Sequence, residues 1–100
     1  MVGAQYRARR SILLHSEDFT ASGSVRKGIF AIISPGAARK YLPDSVIDPA
    51  NRPIWAIFVP DDDATVDTDT IAWDGLSLTI LGIVDRRMDG TLLFKIIFAC

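Results

Sequence analysis

The sequence is short of the residue types that do chemistry. It holds one cysteine, Cys100, and one histidine, His15. A single cysteine excludes an internal disulfide framework and any Cys-x-x-Cys motif, and it suits a reducing compartment. A nucleophilic triad needs three groups that meet in space. With Cys100 at the last position, a Cys–His pair with His15 is not expected, and His15 reads as a surface residue. No Gly-x-x-x-x-Gly-Lys-Ser/Thr phosphate loop occurs. The expectation is therefore no catalytic residue, no metal ligand, no cofactor and no enzyme activity. Long apolar runs are missing too. No stretch reaches the roughly 18 apolar residues of a membrane-crossing helix, and the run from Thr91 to Cys100 is short and interrupted by Lys95. Arg7, Arg9 and Arg10 precede only Ile12 to Leu14, too little for a secretory signal. A formal net charge of −1 excludes nucleic-acid binding by bulk charge. The default reading is a soluble intracellular protein with no membrane partner.

What is present is β-structure. One hundred residues imply one domain, of a size that often leans on partners. Mean hydropathy is high for a small soluble domain, at +0.25. From Asp69 to Ala99 the pattern gives three antiparallel strands in succession: Thr70 to Trp73, Leu76 to Val84, and Thr91 to Ala99. Asp74-Gly75 is expected to be a two-residue hairpin turn, since both residues tolerate the positive φ such turns need. Asp85 to Gly90 is expected to be a longer second turn, in which valine in place of Gly90 would cost less than valine in place of Gly75. Gly28 to Ser34 and Ile54 to Val59 are two further strands, rich in β-branched and aromatic residues and ended by Pro35-Gly36 and Pro60. Between them, Pro43, Pro49 and Pro53 exclude any long regular element. Pro35 to Pro53 is thus a long loop with one helical turn over Ala37 to Leu42, and such loops usually bind something. Residues 1–27 read as an N-terminal arm with a short strand at Ser11 to His15 and a flexible link at Ala21 to Ser24. Residues 28–100 form the domain. The fold class is all-β, a small antiparallel β-barrel or sandwich of about five to six strands.

Three of these strands are apolar on both faces. Ile54, Ala56 and Phe58 line one face of their strand, and Trp55, Ile57 and Val59 the other. In the last strand Leu92, Phe94, Ile96 and Phe98 oppose Leu93, Lys95, Ile97 and Ala99. A half-exposed strand should alternate apolar with polar, and a barrel of this length has only one interior. Either the arm and loops cover the outer face, or a neighbouring subunit does.

The acidic run Asp61, Asp62, Asp63, Asp67 and Asp69 invites comparison with a calcium loop. Counted from Asp61, positions three, five, six and twelve are Asp63, Thr65, Val66 and Ala72. Three of the four fail, so a solvated loop, or an acidic docking loop for a basic partner, is expected. Arg7, Arg9, Arg10, Arg26, Lys27, Arg39 and Lys40 would meet DNA phosphates only if the chain formed a ring around a channel; otherwise they solubilise the arm or pair with acidic neighbours. Trp55 and Trp73 read as core and strand-pair residues, not as a base-stacking platform.

One stretch carries a family resemblance. A polar approach, then Asp69-Thr-Ile-Ala-Trp73-Asp74-Gly75, then an alternating strand with the step Gly82-Ile83-Val84, resembles the head–tail joining proteins of tailed bacteriophages, also called head-completion, stopper or connector proteins. The long loop between two early strands fits the same family, and the resemblance runs from about Gly28 to Ala99. Leu78 stands where that family usually has an aromatic residue, and the N-terminal arm lies outside the resemblance. What it implies is a structural virion protein, assembled in the host cytoplasm. Such a protein forms a homo-oligomeric ring beneath the portal or adaptor, closes the DNA-filled head and docks the tail proteins. Packaged DNA would pass its channel without sequence-specific contacts. On this reading Arg39, Lys40, Tyr41 and Arg52 belong to a partner or channel loop. Trp55, Ile57, Leu93 and Ile97 form subunit contacts, and Arg7, Arg9 and Arg10 lie on an arm that reaches a neighbour. The alternative is a β-barrel module that binds a peptide or an oligonucleotide on an exposed face.

Overall fold

The computed structural model describes residues 7, 10–12, 14–43, 53–65 and 68–100. Six strands make up the domain: β1 (Glu17–Ala21), β2 (Ser24–Ile33), β3 (Ile54–Pro60), β4 (Thr70–Trp73), β5 (Leu76–Met88) and β6 (Thr91–Ala99). All neighbouring pairs are antiparallel, and the order β1-β2-β3-β6-β5-β4 closes on itself through a short β1–β4 ladder. The result is a small closed β-barrel, as the strand count and turn spacing imply.

Three hairpins hold the chain order together, each through a two-residue turn with both φ angles positive. They are Ser22-Gly23 (φ 52° and 78°), Asp74-Gly75 (50° and 75°) and Asp89-Gly90 (51° and 79°). This is the backbone of type I′ turns, whose twist matches that of the strands they join. The sequence pattern anticipates only the middle one in this form. Ala21 to Ser24 is a tight turn in place of a flexible link, because Ser22-Gly23 supplies the two left-handed positions. Asp85 to Gly90 is not a long turn either. β5 continues to Met88, with Asp85 opposite Lys95 and Met88 opposite Thr91. Its polar residues hide a strand that the ladder to β6 maintains.

Two strands bend to close the barrel. β2 pairs with β1 up to Gly28 and with β3 from Ile29 onward. β5 pairs with β4 over Leu76–Thr79 and with β6 from Ile80. A glycine marks each bend. A Cβ on Gly28 would sit 2.8 Å from Ile57 Cγ2 and 3.1 Å from Phe19 Cε1; on Gly82 it would sit 2.6 Å from Leu42 Cδ2. Close approach, not turn geometry, demands these two glycines. Beside Gly82 the register slips: Ile80 faces Ala99 while Gly82 faces Phe98, leaving Leu81 as a bulge. The bulge advances the alternation by one residue. Ile80 and Ile83 therefore pack with the inner core, and Leu81 and Val84 with the outer cluster.

The two apolar faces are buried in different ways. Phe19, Ile57, Val59, Ile71, Leu78, Ile80 and Ile97 fill the barrel interior. Outside, Ile54, Ala56, Ile96 and Phe98 form a second buried cluster with Ala38 and Leu42. Ala38 belongs to the one-turn helix Pro35–Ala38. Ser34 caps it, its Oγ accepting from the Ala37 N–H at 3.1 Å, and the Leu42 N–H bonds to the Ala38 carbonyl at 2.9 Å. The chain's own segment after β2 thus covers much of the outer face. Ile12, also buried, shares a hollow with Ile29, Phe58 and Phe94.

The N-terminal part departs from expectation. Residues 10–12 and 14–15 are helical, where the sequence pattern suggests a strand over Ser11 to His15. A helix turns Ile12 toward the barrel while Arg10, Ser11, Leu14 and His15 stay exposed. The boundary also moves. β1 and the first half of β2 pair with each other, and β1 completes the closure, so residues 17–27 belong to the barrel and not to an arm. Their sparse apolar content conceals this, because β1 contributes only Phe19 and Ala21 to the core.

Candidate functional site

The barrel has two chemically different ends. The starts of β3 and β5 and the ends of β2, β4 and β6 converge on one of them. Here Phe30, Trp55 and Trp73 pack as an aromatic plug. The rings of Phe30 and Trp73 are stacked at 4.0 Å, and Trp55 meets Trp73 edge to face at 4.9 Å. All three are half-buried and rest on the inner core. They are core and strand-pair residues.

A polar latch closes the opposite end. Arg26 donates from Nη1 to Thr65 Oγ1 at 2.5 Å and lies 3.4 Å from Asp63 Oδ1. The same Asp63 oxygen accepts from the Thr65 N–H at 2.7 Å, and Lys95 Nζ donates to the Asp63 carbonyl at 3.0 Å. Asp63 is thus an internal tether for β2 and β6. Ser22 Oγ donates to Asp69, tying the β1–β2 turn to the same loop. Among the described residues no three of His, Cys, Asp and Glu gather where a metal ion would sit. His15 is exposed. The backbone of Cys100 pairs with Thr79 in both directions, at 2.8 and 3.0 Å.

Two surface features stand out, one at each end. The first is a ribbon. From Asp85 to Leu93 the chain forms a two-stranded hairpin, since β4 pairs with β5 only as far as Thr79 and β3 with β6 only as far as Phe94. It leaves the barrel at the latch end, and every residue from Asp85 to Gly90 is exposed. The second is a groove of about 610 Å³ at the aromatic end, between β1 and the β4–β5 hairpin. It opens because β4 meets β1 at only two positions, Thr20–Ala72 and Ala21–Ile71. Beyond them the wall parts.

The residues singled out from sequence fall in different places. Arg39, Lys40 and Tyr41 are exposed after the one-turn helix, with the Tyr41 ring stacked on Phe98 at 5.3 Å. Arg52 lies outside the described residues, as does Arg9. Arg7 and Arg10 are exposed. The subunit contacts expected of Ile57 and Ile97 need correction, while Trp55 keeps part of its surface exposed. Ile57 and Ile97 have no exposed surface and sit inside the barrel, and Trp55 belongs to the plug. The inside of a strand cannot be told from its outside when both faces are apolar, and these three occupy the inner one. Leu93 is half-buried on the ribbon. Neither the latch nor the ribbon is apparent from the sequence pattern. Lys95, a lone charge in an apolar strand, is the available signal for the first, and Asp89-Gly90 for the second.

No protein-family model matches the chain, and no curated protein or solved structure matches it either.

Proposed function

We infer that the chain is a structural assembly protein of the head–tail joining kind, which its Asp69–Gly75 hairpin and Gly82-Ile83-Val84 step resemble. Copies form a ring beneath a portal or adaptor, close the filled head and receive the tail. One observation carries this reading: the ribbon from Asp85 to Leu93. Beyond the barrel it contributes no buried residue to the core. A strand pair held outside the barrel costs ordering entropy with little burial in return, so its use lies in contact with another molecule. The outer face of β3 and β6 is less telling than its sequence implies, because the helical turn and Leu42 already cover it.

Co-expression with a phage portal protein and adaptor tests the reading. The expected result is copurification and, in negative-stain images, an added ring below the portal. A chain that stays apart from portal and adaptor, and instead binds oligonucleotide tightly as a monomer, would overturn it in favour of a binding module.

A further inference from the structure

We propose that the β5–β6 ribbon of one copy docks in the groove between β1 and the β4–β5 hairpin of another, so that copies of this chain join head to tail. The inference names the subunit contact of the ring proposed above and rests on that reading for the closure of the ring.

The two surfaces match in charge and in apolar character. On the ribbon, Arg86 makes no ion pair among the described residues, Arg87 lies 3.3 Å from Asp85, and Met88 is 48 % exposed. On the groove, Asp18 and Asp74 stand on opposite walls. Asp18 pairs with Lys27 at 2.6 Å, both groups exposed, whereas Asp74 makes no ion pair among the described residues. Around these carboxylates lie two of the most exposed apolar side chains of the barrel, Val25 at 71 % and Leu76 at 46 %, with Trp73 between them and the core. Side chains alternate along β5, so Arg86 and Met88 share one face of the ribbon while Arg87 lies with Asp85 on the other; the face with Arg86 and Met88 thus meets Asp74 beside Val25 and Leu76. Complementary charge of this kind sets register and partner choice, and the apolar contacts supply the burial.

The occupant is a second copy because one molecule cannot make this contact with itself. The groove lies at the start of β5 and the ribbon at its end. Arg86 stands ten residues along β5 from Leu76, which at about 3.3 Å per residue places the two up to roughly 33 Å apart. Different patches at opposite ends make a heterologous interface, which closes into a ring or runs on as a filament. Arginines on an open strand edge have another use, which is to keep strands from pairing indiscriminately. That use makes the opposite prediction, because removing them would then increase association.

Sedimentation velocity of the full chain at low salt separates these cases, comparing wild type with a reversed ribbon (R86E/R87E), a reversed groove (D18K/D74K) and their equimolar mixture. Circular dichroism confirms that each is folded. Asp74→Asn serves as the control that removes the charge while keeping a residue tolerant of the left-handed turn. The expected result is association of wild type, a loss of at least about tenfold in association for either reversal, a smaller loss for Asp74→Asn, and recovery in the mixture. Recovery is specific to docking, since the mixture restores an opposite-charge match at every contact. Wild-type behaviour in both reversals, stronger association of R86E/R87E, or a wild type that stays monomeric would each overturn the docking. Closed rings that the reversals leave intact would refute the docking and keep the ring. Open filaments that the reversals abolish would support the docking and refute the ring.

Discussion

Phe30 and Trp73 lie face to face, their ring centroids 4.0 Å apart and their planes 9° from parallel. They come from β2 and β4, which lie on either side of β1 in the closed sheet, so the stack bridges past β1 at this end of the barrel. Trp55 adds an edge-to-face contact to each, at 6.5 and 4.9 Å. Truncation of a buried aromatic costs about 3–5 kcal/mol. Trp73 is half-buried, so Trp73→Ala is expected to lose about 3 kcal/mol in denaturant unfolding, and Trp73→Phe about 1 kcal/mol. A loss below about 0.5 kcal/mol for Trp73→Ala would mean that the end of the barrel does not depend on the plug.

The two kinds of glycine should respond differently to alanine. Gly75 and Gly90 have positive φ and open space where a Cβ would stand, so each substitution costs only left-handed strain, about 1–2 kcal/mol. The two losses should agree within about 0.5 kcal/mol in chemical denaturation, since both turns have the same geometry. This replaces the unequal costs that the sequence pattern implies for these positions.

At the bends the cost is steric. An added Cβ at Gly28 meets Ile57, Phe19 and Val59, three interior side chains with nowhere to move. At Gly82 it meets only the tip of Leu42. Gly28→Ala should therefore cost about 2–3 kcal/mol and Gly82→Ala about 1 kcal/mol or less. Thermal unfolding of both variants checks the order, and a reversed order would place the tighter corner in β5.

Asp63 acts as a tether. Its side chain is 5 % exposed and that of Arg26 17 %. Asp63→Ala leaves the Arg26 guanidinium and the Thr65 N–H short of an acceptor, at an expected cost of about 2 kcal/mol. Asp63→Asn retains an acceptor for the N–H and should cost roughly half as much. Equal stability of wild type and Asp63→Ala in chemical denaturation would show that the latch holds nothing together.

Ile97 and Leu93 test the assignment of faces. Ile97→Ala should cost about 2–5 kcal/mol as a core truncation. Leu93→Ala, on the ribbon, should cost less than about 1 kcal/mol. Comparable losses in unfolding experiments would mean that the ribbon is part of the folding core.

Much of the barrel is legible in the residues. Asp74-Gly75 announces its turn, because few other pairs accept two positive φ angles, and β3, β4 and β6 follow from β-branched and aromatic runs. β1 escapes notice because Glu17 and Asp18 precede its two core residues and Thr20 separates them. The far half of β5 escapes because Asp-Arg-Arg-Met has no apolar period, and only its ladder to β6 makes it a strand. Faces are the harder problem. Trp55, Ile57 and Ile97 look like a surface stripe when each strand is read alone. The one-residue slip at Leu81 and the return of Ala38 and Leu42 over the outside depend on contacts distant in sequence. The groove is illegible for a related reason: it exists because β4 and β1 diverge after two residue pairs, and divergence has no local signature.

The claim that this barrel works as a closed assembly is tested most directly by native mass spectrometry of the full chain from dilute to concentrated solution. One discrete oligomer is expected to appear and to persist as concentration rises. A monomer at every concentration would contradict the claim.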